Sequence, residues 1–405
     1  MDRVTAARQR VVTLEGLKAQ TIRTKAVVDQ VRDIVLAPNS TKIPPRFNMT
    51  QLSMFTGLES SQLDNRLRRP GSGVPTGEKG GATRRYFSIG DVQEWMRHLR
   101  PEFRRPETSD AAVLVSANLK GGVSKTTTAV CLAHGLSLRG HKILLIDLDP
   151  QASATSFFGM SPETHVTSEQ TLYSLFQGEE PSVEYAIQKT YWPGLDLIAA
   201  NAGMHGADFI LSARQGHEKE FEFWDVLNHG LETARGNYDI IIIDTPPSLS
   251  FTAINGLMAA DGFLMPLPPK AIDFAASAQF WDLFYEMVRI CKSPGRASKR
   301  FAFVDVVLSM VDSSDSATDI VREWIVGAYG EKVLPVEIPK TSAASTASKN
   351  FGSVYDLMLP GTSAERNVAS SRTFKRAFEA YERLVGLVES QVQDFWMMQT
   401  MEVAA

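Results

Sequence analysis

Residues 113–159 read VLVSANLKGGVSKTTTAVCLAHGLSLRGHKILLIDLDPQASATSFFG. A short apolar run, Ala112 to Ser116, opens the stretch and reads as a buried strand. The turn Lys120-Gly121-Gly122-Val123-Ser124-Lys125-Thr126 follows, and apolar residues then fall at helical spacing from Thr127 to Leu138 (Ala129, Leu132, Ala133, Leu136). A second apolar strand, Ile143 to Ile146, runs into Asp147-Leu148-Asp149-Pro150. Strand, glycine turn, helix and acidic strand end together describe a phosphate-binding βαβ unit.

Gly121 and Gly122 let backbone N–H groups approach phosphate oxygens closely, and the helix N-terminus adds its partial positive charge. Lys125 can reach terminal phosphates, and the Thr126 hydroxyl can ligate Mg²⁺. Asp147 and Asp149 point toward the same crevice, at the carboxyl ends of strands where open α/β sheets bind ligands. The strict P-loop pattern G-x-x-x-x-G-K-[ST] is not met, because Leu119 and Ser124 stand where its two glycines would be. A glycine turn in an ordinary dinucleotide fold stays open on the loop alone. A second element argues for a nucleoside triphosphatase: Tyr238-Asp239-Ile240-Ile241-Ile242-Ile243-Asp244-Thr245-Pro246-Pro247 is a continuous apolar strand ending in an acid, the shape of a Walker B strand.

KGGVSKTT, LLIDLDPQAS and YDIIIIDTPPS resemble the deviant Walker A, Walker A′ and Walker B motifs of the ParA partition ATPases, in the MinD/ParA branch of P-loop proteins. The resemblance covers roughly residues 110–390, and the extra N-terminal region is similar to that of the larger, plasmid-type subgroup. It implies a P-loop NTPase fold, α/β with a mostly parallel sheet flanked by helices, and Mg²⁺ with ATP or ADP as ligands. It also implies roles: Lys120 reaches the nucleotide of the partner subunit, Asp149 positions the attacking water, and Asp147 and Asp244 support Mg²⁺ with Thr126. The residues that would wrap the nucleotide are Lys120, Gly121, Gly122, Val123, Ser124, Lys125, Thr126 and Thr127, with Pro339 of Pro339-Lys340-Thr341 near the adenine. Ser124 departs from the family's usual glycine.

The two cysteines, Cys131 and Cys291, lack metal-ligand spacing and suit a reducing cytoplasm. No apolar run approaches the roughly 20 residues that span a bilayer. The net charge of −4 hides an asymmetry: residues 1–107 hold 19 basic and 11 acidic residues, and the remainder 23 and 35. A basic N-terminal region on an acidic body points to nucleic acid, with plain solubility as the alternative.

Residues 1–37 read as one helix whose Leu14, Leu17, Thr21, Thr24, Val28, Val31 and Val35 form a heptad-like stripe, for a partner helix in a dimer or for its own domain. Pro38, Pro44 and Pro45 end it. Residues 46–100 read as a winged helix-turn-helix domain. Two short helices flank Thr56-Gly57-Leu58, and Ser60 or Ser61 caps the second. Ser61, Gln62, Asn65, Arg66 and Arg69 on that helix, and Arg84 and Arg85 in a wing that begins at Pro70 and returns from Thr83, are candidate DNA contacts. Any small helical hairpin could mimic this pattern.

Residues 101–110 are the expected linker, 111–390 the ATPase domain and 391–405 a tail. Within the ATPase, helices are expected at 171–177 and 182–188 and as one run from Phe209 to Arg235, with Pro246-Pro247-Ser248 either a rigid loop beside the γ-phosphate or a plain strand-ending turn, and a basic loop at 293–299. Arg366, Arg372, Lys375 and Arg376 surround the start of the last helix, where the family binds non-specific DNA; a solvated helix face is the other reading. Residues 395–401 are apolar without Lys or Arg, which argues against a membrane-surface helix.

The expectation is therefore a slow, partner-stimulated, dimeric Mg-ATPase for DNA partition, cytoplasmic and nucleoid-associated. It would work with a ParB-like centromere-binding partner, non-specific DNA and its own operator. The rival is an ATP-sensing transcriptional or replication regulator. An iron-protein reductase is disfavoured, since two scattered cysteines make no cluster site.

Overall fold

A computed structural model describes residues 13–36, 42–69, 71–80, 84–291, 299–312, 314–340, 352–356 and 372–404, and the side chains of all but 32–36 and 403–404 among them. Pro38, Pro70, Thr83, the loop 293–298, Thr341, Arg366 and the side chain of Val35 lie outside these. The chain divides into two units, Met1–Ile43 and Pro44–Ala405. The first holds α1 (Leu14–Leu36). Its Leu14, Leu17, Val28 and Val31 are exposed. The two threonines that interrupt the stripe turn back on the helix, Thr21 Oγ1 donating to Leu17 O and Thr24 Oγ1 to Gln20 O, each at 3.0 Å.

The second unit begins with β1 (Phe47–Asn48), α2 (Met49–Thr56), α3 (Ser60–Arg68), β2 (Glu78–Lys79), β3 (Arg85–Phe87) and α4 (Ile89–Leu99). β1 and β2 flank β3 in a three-stranded antiparallel sheet. Asn48 caps α2 reciprocally with Gln51, and Gly57 ends it at φ 68°, a conformation glycine adopts freely. The cap of α3 is Glu59 rather than Ser60 or Ser61. A capping box needs Gln or Glu three residues on, and only from Glu59 does Gln62 fall there; its Oε1 accepts the Glu59 N–H at 2.9 Å. Phe47, Leu52, Leu63, Phe87, Val92 and Trp95 are fully buried, in one apolar cluster with Leu132, Leu136 and Trp192 of the larger body.

That body follows as β4 (Ala112–Ser116), α5 (Lys125–Leu138), β5 (Ile143–Asp147), α6 (Ser153–Phe157), α7 (Tyr173–Gln177), β6 (Gln188–Lys189), β7 (Leu195–Ile198), α8 (His205–His217), α9 (Val226–Gly230), α10 (Glu232–Asn237) and β8 (Ile240–Asp244). It continues through α11 (Phe251–Ala259), β9 (Gly262–Leu267), α12 (Ala271–Ile290), β10 (Phe303–Val311), α13 (Ala317–Tyr329), β11 (Val333–Pro339) and α14 (Arg372–Ala404). The strands form one sheet in the order β11-β10-β9-β4-β8-β5-β7-β6, parallel throughout except for β6 against β7. Every residue of β4, β5, β8 and β9 is buried, because helices cover both faces; this is why these strands read as unbroken apolar runs. Two separate apolar clusters lie on the two faces. This is a P-loop NTPase architecture.

Three expectations change. The run 209–235 is not one helix but α8, α9 and α10, since Phe223 turns inward against Phe251 (centroids 4.4 Å apart) and its carbonyl is held by Asn255 Nδ2 at 2.6 Å. In place of a helix over 182–188 there is a single 3₁₀ turn, Glu184–Ala186, and β6. The segment 391–404 is no tail but the end of α14: Val392 and Trp396 are buried, and Trp396 Nε1 donates to Asp110 O at 3.1 Å.

α4 lies on the C-terminal end of α5. Gln93 Nε2 donates to Ser137 Oγ at 2.8 Å and to Pro193 O at 2.6 Å, and Arg97 Nε donates to Gly140 O at 2.7 Å. Gly140 sits at φ +98°, and a Cβ there would stand 2.7 Å from Arg97 Cγ. Only glycine permits this approach.

Candidate functional site

Ser116, Asp244 and Asp147 are register partners across β4, β8 and β5, so the carboxyl ends of three adjacent strands present them in one row. The turn between β4 and α5 passes over that row. It is pinned from behind: Asn118 Nδ2 donates to Pro266 O at 2.9 Å, Lys120 N to Asn118 Oδ1 at 3.1 Å, and Ser309 Oγ to Val123 O at 2.9 Å. Asn118 and Ser309 went unread in the sequence because only the strand order brings them to the turn. Gly122 has φ 74°, and Ser124, at φ 73° and ψ 25°, occupies the left-handed region that the pattern's glycine would adopt without strain.

In front of the turn lies a cavity of about 330 Å³ lined by Gly121, Gly122, Ser124, Lys125, Thr126, Thr127, Asp149, Ser153, Phe157, Pro247 and Met310. Lys125 is 6% exposed, and its Nζ donates to Lys120 O at 2.8 Å. Burial lowers its pKa, against the opposing pull of Asp244 and Asp149. Asp147 is engaged on both oxygens: Oδ2 accepts Thr155 N and Thr155 Oγ1, each at 2.8 Å, and Oδ1 accepts Asp149 N at 3.1 Å. Burial nevertheless raises it to about 7. Asp149 lines the cavity, with Oδ1 accepting Gln151 N at 2.9 Å.

Asp244 is different. Both of its oxygens are sealed from solvent without a hydrogen-bond partner of normal geometry. Burial first, then the Asp147 charge, drives its pKa well above the carboxylate range, with the Thr126 side chain and Lys125 compensating only in part. An orphaned buried carboxylate beside a helix-start hydroxyl fits a hard divalent cation. Among the described residues no group of three or more His, Cys, Asp or Glu could hold a metal alone. Mg²⁺ takes one or two protein oxygens, such as those of Asp244 and Thr126, and completes its shell with water and phosphate.

The structure thus brings Gly121, Gly122, Ser124, Lys125, Thr126, Thr127 and Asp149 to one cavity; Lys120 and Val123 belong to the same turn without lining it, their carbonyls held by Lys125 and Ser309, and Asp147 and Asp244 end the strands beneath it. Pro339 lines a groove of about 680 Å³ with Arg322, Arg376 and Arg383; its register partner Val311 directly follows the cavity's Met310 on β10. Ser153, Phe157 and Met310 were missed. The first two lie on the short helix after Asp149, and Met310 reaches the site only through the placement of β10.

Ser61, Gln62, Asn65, Arg66 and Arg69 are all exposed, on or just past α3, where Leu63 is buried. Gln62 is drawn back to its cap, Arg84 is exposed, and Arg85 donates to Thr76 O, holding the β2–β3 hairpin. Arg372, Lys375 and Arg376 are exposed on the first turns of α14, away from α3 in sequence. Cys131 and Cys291 are buried and free. Among the described residues no helix is long and apolar enough to cross a membrane.

Residues 111–292 match a family model described as an AAA domain. The chain is 35% identical over 264 residues to the chromosome partitioning protein ParA of Caulobacter vibrioides, covering 64% of this chain and 92% of that one. A solved structure described as a partition protein superposes with a TM-score of 0.62 at 20% identity, over 95% of this chain and 98% of its own. Cobyrinic acid a,c-diamide synthase from Mycobacterium smegmatis, solved with bound ADP and magnesium, matches at a TM-score of 0.52 and 25% identity, over 69% of this chain and 94% of its own.

Proposed function

The chain belongs to the ParA family of partition ATPases, and from that premise we propose that it is a Mg-ATPase whose nucleotide state governs its grip on DNA during segregation. The observation that carries this reading is the orphaned Asp244 carboxylate beneath a glycine turn and a buried lysine. The magnesium and ADP held by the synthase of the same fold support the choice of ligands.

The amides of residues 121–126 and the positive end of α5 would cradle the β-phosphate, and Lys125, freed from Lys120 O, would move to the terminal phosphates. Thr126 and Asp244 would hold Mg²⁺, which supplies charge neutralisation at the phosphates. Asp147 keeps the base of the site rigid through Thr155 and the Asp149 amide, and Asp149 orients the attacking water from the cavity wall. Lys120 serves the nucleotide of a second protomer in a homodimer. The exposed stripe of α1 supports a further dimer contact through residues 1–37.

Residues 46–100 act as a winged helix-turn-helix domain that binds the operator through α3 and Arg84, and so represses the protein's own operon. Residues 101–110 are its connection to the ATPase domain, which begins at 111. Arg372, Lys375 and Arg376 hold non-specific DNA of the nucleoid in the cytoplasm, and a ParB-like partner stimulates an otherwise slow turnover. The test is Lys125→Ala. ATP-dependent DNA binding is expected to vanish; its retention would remove the nucleotide switch.

A further inference from the structure

Where α4, residues 101–105 and the end of α5 meet, a cavity of about 270 Å³ is lined by Arg97, Arg100, Arg104, Arg105, Arg139 and Asp239, together with flanking residues. It lies at the opposite end of α5 from the glycine turn, about 20 Å away at 1.5 Å per residue. It is therefore separate from the nucleotide site.

The charges here do not balance. Arg100 is bidentate to Glu389 at 3.0 and 2.7 Å, and Arg139 reaches Glu389 at 2.8 Å and Glu382 at 3.3 Å. Glu389 is fully buried; although burial opposes it, His141, Arg100 and Arg139 hold its pKa at about 2, so it is ionised. Arg105 pairs with Asp239 at 3.3 Å and spends its remaining nitrogens on Ser109 O and Gly236 O. Three cations thus meet three carboxylates. Arg97 and Arg104 are left over. Arg97 donates only to Gly140 O at 2.7 Å and Arg104 only to Arg97 O at 2.9 Å, and among the described residues neither forms an ion pair. A carbonyl hydrogen bond neutralises nothing, and most of the five N–H donors on each guanidinium remain open.

We infer that this cleft is a second anion site, built for a phosphate group. Forked guanidiniums with open paired donors match phosphate oxygens two at a time, which a point charge such as lysine does not. The volume falls just under the roughly 300–1,000 Å³ of pockets that take whole small molecules, so the occupant is phosphate-sized: free diphosphate, or one backbone phosphate of nucleic acid. Arg97 belongs to α4 and Arg104 to the connecting segment, so a bound phosphate ties α4 to the segment that follows it, beside the end of α5.

The experiment uses the full chain saturated with a non-hydrolysable ATP analogue and Mg²⁺, so that the glycine turn is occupied and the DNA-binding state is populated. Sodium pyrophosphate is titrated calorimetrically, and binding of a short random-sequence duplex is followed across a salt series, for the parent and for Arg97→Gln/Arg104→Gln. If free diphosphate is the ligand, the double variant loses at least tenfold in pyrophosphate affinity and keeps its DNA salt slope. If DNA supplies the phosphate, the slope of log K against log salt falls by about 0.9, the change for one phosphate that is no longer neutralised. No change in either measurement overturns the site. Arg104→Gln alone, on an exposed side chain, carries the same comparison should the double variant melt.

Discussion

Asp147 and Asp244 face each other as register partners on β5 and β8, both sealed from solvent, yet only Asp147 has its oxygens occupied by hydrogen bonds. Two carboxylates so placed repel, and Asp244 has only the partial help of Thr126 and Lys125. Asp244→Asn should therefore abolish Mg²⁺-dependent hydrolysis while raising the stability of the nucleotide-free protein by about 1–3 kcal/mol near pH 8, since it removes an uncompensated buried acid. Paired phosphate-release and melting measurements check both halves. A variant that loses activity and stability together would show Asp244 to be a structural acid.

Ser124 holds a left-handed backbone at φ 73° that costs an L-residue about 1–2 kcal/mol. Ser124→Gly should raise the denaturant midpoint by an amount equivalent to about 1 kcal/mol, the greater freedom of glycine in the unfolded chain offsetting part of the relief. Ser124→Val should lower it. Urea titration of the three proteins decides the matter.

On β10, Asp305 is 3% exposed; burial raises its pKa to about 6 while the Gln391 amide, donating to Oδ1 at 3.1 Å, opposes. Asp305 Oδ2 and Gln391 Oε1 are both left without partners. A proton on Oδ2 would join them in a closed acid–amide ring. The unfolded side chain titrates near 3.8, so between about 4 and 6 the folded protein holds the extra proton. Stability from this group is full below that window and falls as the pH rises through it, by up to about 3 kcal/mol at neutrality. Asp305→Asn closes the ring permanently; it should stabilise α14 at pH 7.5 and change little at pH 4, as read by melting at the two values.

Gly140 combines φ +98° with the close approach of Arg97. Gly140→Ala should cost more than about 2 kcal/mol and expose residues 46–100 to limited proteolysis while nucleotide binding survives. Cleavage unchanged from the parent would show that the two parts hold together without this close approach.

Much of the fold was legible because parallel strands covered on both faces leave long apolar runs, as in Ile240–Ile243, and because acids at their ends, Asp147 and Asp244, mark where the sheet opens. The cavity's floor and loop were readable for the same reason. Its far wall was not: Met310 comes from a strand whose place beside β9 no local pattern states. The break between α8 and α9 depends on Asn255, thirty-two residues beyond the carbonyl it holds. The joint between α4 and α5 rests on Gln93, Arg97 and Ser137, polar residues whose pairing appears only once both helices are in place.

The last helix carries Glu389 to Arg100 across 289 positions and sets Trp396 on Asp110. Contacts between residues so far apart in the chain close very long loops, and the entropy this costs is offset only once the sheet between them is in place. Arg100 therefore gains its buried acid late in folding, whereas Gln93 and Arg97 tie the same module to α5 across only 44 and 43 positions.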